Sequence, residues 1–385
     1  MPRIVWVLAA GRLLGSASSF LMLFLTLYLV GPRHLSVGAA GLISGTYGAG
    51  MLVGSFTGGW FGDRFGHRPV LLVASLVAGV LMVGLPWFPL WAFVSALPVI
   101  AYAAATASNS QAALAALAVP AGERRAAVAV GRAASNAGFV IGPLVGALLI
   151  SHSFTALLVA DGAATLVVRG VTARLLPREE AHRVAREPTT HGLWRSVLAD
   201  RALLVLLPAI IAVDLVYRQL YTTLPVYLRD QGQPVALYTA LIAIGSGLIL
   251  LLEIPVAVRL RRHAAYPIIA AGYALVGVGM GMFGLHGGTV IVTCVVAMTV
   301  LTAGEILYKT TATAHVLDAA PDHLVGQYQG LYTGAATSGT LLSGPIGGAV
   351  YSAAPALLWP LTAVVALAAA GGVLVSARTA RRVNP

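Results

Sequence analysis

Long apolar runs separated by short polar breaks repeat from one end of the chain to the other. About 20 apolar residues are needed to cross the hydrocarbon of a bilayer as a helix. Breaks at charge, glycine and proline clusters divide the sequence into twelve runs of about that length, 4–30, 37–61, 70–88, 90–119, 126–150, 154–176, 202–228, 235–258, 266–285, 289–317, 324–351 and 355–376. In lipid only helices and closed barrels satisfy every backbone group. These runs are too long and too uniformly apolar for barrel strands, so the expected fold is an all-α membrane protein of twelve transmembrane helices. One long polar stretch interrupts the pattern. It predicts an N-terminal six-helix bundle over 1–176, an interhalf linker over 177–201 and a C-terminal six-helix bundle over 202–385.

Composition excludes a soluble fold independently. With 58% hydrophobic and 10% charged residues, the chain cannot build the charged surface that water requires. The first apolar stretch contains Arg12, runs on to Val30 and offers no small-residue cleavage site, so it reads as a retained span. Cys294 is the only cysteine, which rules out an intrachain disulfide and a cysteine-based metal site. Arginines such as Arg3, Arg124, Arg125, Arg259 and Arg381 crowd one side of the layout, and the other side has only Arg33 and Arg229. By the positive-inside rule both termini are expected in the cytoplasm, in a bacterial-type inner membrane. The basic linker reads as a membrane-surface loop, and no nucleic-acid partner is expected.

Two near-copies of a glycine and proline signature lie about half the chain apart, Gly138-Phe-Val-Ile-Gly142-Pro143-Leu-Val-Gly146 and Thr340-Leu-Leu-Ser-Gly344-Pro345-Ile-Gly347-Gly348. An internal membrane repeat is the usual architecture of a secondary transporter. Between the second and third runs stands Gly59-Trp-Phe-Gly-Asp63-Arg64-Phe-Gly66-His67-Arg68-Pro69. Its glycines permit a tight turn and close helix approach, and Asp63 can sit at a neighbouring helix N-terminus. This loop resembles the signature between helices two and three of the major facilitator superfamily, and with twelve spans and a central loop the resemblance covers the whole chain. It implies that Gly59, Asp63, Arg64, Gly66 and Arg68 form a conformational latch. The segment holding Gly138, Gly142, Pro143 and Gly146 is similar to the family's helix-five motif associated with antiporters; close packing alone would explain the same residues. Two departures stand out. The second-half counterpart of the loop, Ala257-Val-Arg-Leu-Arg261-Arg262-His263, lacks the acid, and the arginine that many related drug antiporters carry in helix four is absent.

An ionisable group inside hydrocarbon costs several kcal/mol unless it faces a cavity or a partner. Span seven carries Asp214, Tyr217, Arg218 and Tyr221 on one helical face, and span ten carries Glu305, Tyr308 and the only lysine, Lys309. Span one offers Arg12, Ser16 and Ser19, and span four Tyr102, Thr106 and Asn109, again at helical spacing. The resemblance implies that these four helices line a central substrate cavity. The acid and base pairs Asp214 with Arg218 and Glu305 with Lys309 permit intrahelical ion pairs, whereas a carboxylate in a low-dielectric cavity can also alternate between protonated and ionised forms. Asp214 and Glu305 are therefore the proton-coupling candidates, with Asp214 preferred and Glu305 with Lys309 as a substrate or gating pair. Asp161 in span six is expected to snorkel or bond between helices, and Glu253 in span eight to bond an adjacent loop.

The expected function is a proton-coupled exporter of small amphipathic organic molecules working by alternating access. An importer of a polar or anionic solute, using Arg12, Arg218 and Lys309, is the alternative. No catalytic residues, cofactor or metal are expected, because no His and acid cluster at metal spacing, no Gly-x-Ser-x-Gly elbow and no phosphate-binding loop occurs. A membrane enzyme or receptor is thereby disfavoured. The expected partners are a small-molecule substrate, protons and the bilayer, with monomer as the default that the family resemblance implies.

Overall fold

A computed structural model of the protein describes residues 1–35, 37–120, 122–176, 197–198, 201–285 and 290–383. Helix occupies all twelve predicted runs, and no strand occurs among the described residues. The helices are α1 (Arg3–Ala17), α2 (Phe20–Val30), α3 (Val37–Phe65), α4 (His67–Gly84), α5 (Leu90–Leu117), α6 (Arg124–His152), α7 (Phe154–Leu175), α8 (Arg201–Thr222), α9 (Leu224–Asp230), α10 (Val235–Leu260), α11 (Ala265–Met282), α12 (Val290–Asp318), α13 (Val325–Ala353) and α14 (Pro355–Val383). Most of the predicted linker, 177–196 and 199–200, lies outside the described residues.

Two predicted spans are not continuous. The first stops at Ala17 and restarts at Phe20. Ser18 Oγ bonds Leu14 O at 3.0 Å and Ser19 Oγ bonds Gly15 O at 2.8 Å, so both hydroxyls compete for carbonyls of the preceding turn. The seventh stops at Thr222 and restarts at Leu224. There Pro225 has no N–H to give to the preceding turn, and Thr223 Oγ1 turns back to Gln219 O at 3.2 Å.

Between α3 and α4 a single residue, Gly66, makes the turn at φ 88°, a left-handed conformation that glycine alone adopts without strain.

The helices form two compact units, Met1–Thr189 with Leu317–Gly334, and Thr190–Val316 with Ala335–Pro385. In the first unit α3 packs on α5, α1 on α6, and α4 on both α5 and α7. The α3–α5 contact is set by Gly50, Gly54 and Gly58 at four-residue spacing. A Cβ at Gly54 would stand 2.9 Å from Tyr102 Cα, and one at Gly58 2.7 Å from Thr106 Cα. Without side chains there, the two backbones pack in van der Waals contact, the main attraction available where lipid is as apolar as the helices. A buried cluster including Leu25, Tyr28, Leu29, Phe93, Leu97 and Ile100 fills one end of the unit. In the second unit α14 packs on α8 and α11.

Candidate functional site

In the second unit, α8 and α12 bring their polar faces together. Glu305 is 5% exposed and each carboxylate oxygen is engaged: Tyr217 Oη donates to Oε2 at 2.7 Å and Lys309 Nζ to Oε1 at 3.1 Å. Lys309 also stands 3.7 Å from the centroid of the Tyr217 ring, a desolvated cation–π contact. Tyr221 Oη lies 3.3 Å from Tyr217 Oη, and its ring sits under the Arg218 guanidinium at 5.7 Å. Arg218 Nε donates to Thr340 Oγ1 on α13 at 3.0 Å. The acid, the ammonium, two phenols and a guanidinium thus form one connected network. Asp214, 3% exposed, lies at the α8–α13 contact, its Cβ 3.0 Å from where a Cβ of Gly339 would stand. Tyr308 is fully buried and packs edge-on against Tyr273 of α11, with ring centroids 5.1 Å apart. Glu253, also fully buried, accepts a hydrogen bond from Thr310 of α12.

In the first unit the polar positions of spans one and four turn to different neighbours. Ser16 Oγ meets Ser135 Oγ of α6 at 2.7 Å. Arg12 lies along Gly131 of α6, with Nη1 3.6 Å from where a Cβ would stand there. Its charged neighbours are Arg132 of α6 and Arg169 of α7. Arg169 donates to Gln111 Oε1, and Gln111 Nε2 donates to Leu8 O at 2.9 Å, which ties α7, α5 and α1 together. Ser19 borders a cavity of about 90 Å³ that Arg169 and Asp161 also line. Tyr102, Thr106 and Asn109 instead face α3. Thr57 Oγ1 donates to Tyr102 Oη at 2.9 Å, Thr106 packs over Gly58, and Asn109 Nδ2 donates to Ser55 O at 2.7 Å. Asn109 Oδ1 in turn accepts from Thr333 Oγ1 of α13 at 2.9 Å.

At the α3–α4 turn the fully buried Asp63 caps α13: its two oxygens accept the backbone N–H groups of Gly326 at 2.8 Å and Gln327 at 2.7 Å. A carboxylate there meets the positive end of the helix dipole. His67 Nε2 is 3.2 Å from the same carboxylate. Gly59 allows this approach, since a Cβ on it would lie 2.9 Å from Gln327 N, and a Cβ on Gly326 would lie 2.6 Å from Gly59 O. Arg64 is exposed and lies over Trp60 at 5.5 Å, and Arg68 is half-buried. Arg124, at the start of α6, answers from the opposite sign. It is 4% exposed, donates to Leu317 O at the negative end of α12, and reaches Asp318 at 3.8 Å and Asp322 at 3.5 Å.

The glycines of the fifth-span motif face the break in span one. A Cβ on Gly138 would stand 2.7 Å from Ser16 Cβ and 2.8 Å from Ala17 N, and one on Gly142 3.1 Å from Ala17 O. Gly146 is set against Phe24. The side chain of Pro143 lies outside what the structure describes.

Arg169, Gln111, Ser135, Arg124 and Thr340 were not singled out from sequence as site residues. For Arg169 the signal was present, an arginine inside an apolar run. For the others only their partners in space give them meaning. Among the described residues no group of three or more His, Cys, Asp or Glu side chains could hold a metal ion.

Comparison with known proteins places this geometry in a family. The family model described as Major Facilitator Superfamily matches residues 7–345. The MFS-type transporter YttB of Bacillus subtilis is 25% identical over 359 residues, 91% of this chain and 88% of YttB. The MFS-type transporter Rv0849 of Mycobacterium tuberculosis is 31% identical over 213 residues, 53% of this chain and 49% of Rv0849. Among solved structures, the Escherichia coli fucose:proton symporter FucP superposes with a TM-score of 0.76 at 13% identity, covering 97% of this chain and 98% of FucP.

Proposed function

Because the chain belongs to the major facilitator superfamily and is a multi-pass membrane transporter, we propose that it is a proton-coupled exporter of small amphipathic organic molecules. It works by alternating access between two six-helix halves, 1–176 and 202–385, joined by the linker 177–201, as a monomer in a bacterial-type inner membrane with both termini cytoplasmic. The observation that carries this reading is the buried network of Tyr217, Glu305 and Lys309. Each Glu305 oxygen accepts from a side-chain donor that a solute hydroxyl or ammonium could replace, and the Tyr217 and Tyr221 rings offer aromatic surface beside the charge. Glu305 and Lys309 act as the pair that the solute rearranges. Asp214, buried against α13, takes the coupling proton, and its charge state biases the α8–α13 contact. Asp63 and Arg124 latch the segment 317–327 at its two helix ends.

Transport of a compound panel into inverted vesicles, with and without a pH gradient, tests the reading. Gradient-dependent accumulation of lipophilic cations or neutral aromatics is expected. Asp214→Asn should abolish accumulation and retain downhill exchange, and Glu305→Gln should change affinity by tenfold or more first. An Asp214→Asn protein that still concentrates solute with unchanged pH dependence moves the proton to Glu305. A second reading, import of an anionic solute, is favoured by one observation, the gathering of Arg12, Arg132 and Arg169 in the first unit. Solute counterflow of carboxylates in right-side-out vesicles decides between them. FucP is described as a symporter of fucose with protons, which supports proton coupling on this fold and leaves direction to the experiment.

A further inference from the structure

Asp161 has no part in the transport scheme above, yet it is 2% exposed inside the first unit. Its carboxylate crosses from α7 to the break in span one, where Oδ2 accepts the Leu21 N–H at 2.7 Å. Leu21 stands in the first turn of α2, whose leading amides lose their helical partners at the break. An acid from another helix therefore replaces the missing half turn. The same carboxylate borders the cavity of about 90 Å³. That is several times the roughly 10–15 Å³ of such space that one water needs. One wall of it is Ser75, whose buried Oγ has no hydrogen-bond partner among the described residues. A polar, water-sized space with an unanswered hydroxyl is where solvent is expected to lodge.

We propose that Asp161 is a proton-binding site in its own right, and that its occupancy sets how firmly α2 is joined to the first unit. The ionised carboxylate holds the Leu21 amide by a charge-assisted bond. A proton from cavity water converts it to a neutral acid, the O–H turns to a cavity water or Ser75, and the bond to the amide weakens. Charge and solvent pull in opposite directions: burial in an apolar bundle favours the neutral acid, and the amide favours the ionised one. Titratable or charged groups reach the cavity from two of the helices around it, Tyr47 of α3 and Arg169 of α7. Arg12 of α1 lies next to Arg169. Among the described residues, helices α2, α4 and α5 face it with Leu21, Ser75, Ala78, Met82, Ala104 and Ala107, none of which titrates. Arg169, anchored by its bond to Gln111, sides with the amide in favouring the ionised acid, against the burial that favours the neutral one. The site is independent of which solute is carried and of which acid in the second unit couples to it.

The test uses the full chain in lipid nanodiscs. The carboxylic C=O stretch is followed by infrared difference spectroscopy as pH falls, and amide exchange of residues 18–24 is measured in parallel and corrected for intrinsic rate. Wild type is expected to gain a protonated-carboxyl band and to lose about tenfold protection in this segment, the effect of one charge-assisted hydrogen bond. Asp161→Asn should lack that band and show the acid-level protection at every pH, and Glu305→Gln should leave the exchange of this segment at wild-type behaviour. Wild-type pH dependence of exchange persisting in Asp161→Asn overturns the proposal, as does a wild-type segment indifferent to pH. If Asp161→Asn does not fold, Ser75→Ala decides: removing a hydroxyl that accepts the O–H of the neutral acid should move the midpoint to lower pH, and an unmoved midpoint rejects the site.

Discussion

Span one in the first unit and span seven in the second unit open the two halves, and both are broken helices with a buried acid nearby. They use the acid differently. Asp161 bonds a backbone amide at the break itself, so it shapes the helix. Glu305 bonds the side chains of Tyr217 and Lys309, and lies well away in sequence from the Thr223 break, where Gln219 and Thr223 satisfy each other. A backbone-bound acid cannot be displaced without loosening a helix. A side-chain-bound acid can exchange partners while the helices stay put. The contrast supports the proposed division, with architecture for the first unit's acid and solute exchange for the second's.

The two copies of the glycine and proline signature offer the sharpest way to break this comparison. Gly138 and Gly142 are pressed against the Ser16–Ala17 end of α1, whereas Gly344, the counterpart of Gly142, has none of the described residues within 4 Å of where a Cβ would stand. Gly138→Leu must push two backbones apart and is expected to cost about 3 kcal/mol or more, with transport lost. Gly344→Leu, in open space, should leave thermal stability in detergent within the scatter of ordinary surface changes. Equal melting shifts for the two would mean that the signature is a shared packing motif and not a support for the span-one break.

The loops after the second and eighth spans give the next largest contrast, because only the first retains its acid. Asp63→Asn keeps one amide acceptor, loses the charge and weakens the cap on α13 by about 2 kcal/mol. Transport should slow while equilibrium solute binding stays within a few-fold. Complete loss of binding in a folded, monodisperse protein would sink the assignment of Asp63 to conformational control. The matching loop of the second half, with Arg261 and Arg262 but no acid, predicts that Arg261→Ala has a smaller effect in the same assay.

The spans were legible in the sequence because hydrocarbon thickness fixes their length and charge marks their ends. Helical spacing also placed Glu305 and Lys309 on one face, where they pair at 3.1 Å. Spacing does not say which helix a face meets. Tyr102, Thr106 and Asn109 share a face as expected, but Gly50, Gly54 and Gly58 draw α3 against it. The span-one break was hidden, since two serines inside an apolar run are compatible with continuous helix until an acid from span six takes the Leu21 amide. Pro225 did mark the second break, yet its apolar flanks let the run read as one span. Arg124 was legible only as one more positive-inside charge; that it meets the Leu317 carbonyl depends on a contact 193 residues away.

The smallest expected effects lie at the outer ends of the two broken spans, where the halves use opposite charges. Arg33, after α2, donates to Pro86 O at 3.2 Å and Phe88 O at 3.0 Å and stacks over Tyr28 and Phe93. Arg33→Ala leaves two carbonyls and two rings without their cation, a loss of about 1 to 2 kcal/mol. After α9, Asp230 accepts from Tyr351 Oη at 2.8 Å and from Arg229 at 3.0 Å, and these bonds, Tyr351's first, hold its carboxyl below the ordinary carboxylate range. A depressed folded-state value stabilises above the unfolded pKa and is lost as pH falls through the folded one. Tyr351→Phe should therefore lower the melting temperature slightly near neutrality and not at all once pH is well below the carboxylate range. Solvent screens this exposed pair, so its shift should be smaller than that of Arg33→Ala at neutral pH. A Tyr351→Phe shift that persists unchanged in acid would place the tyrosine's contribution in packing of the α13 end and remove Asp230 from the comparison.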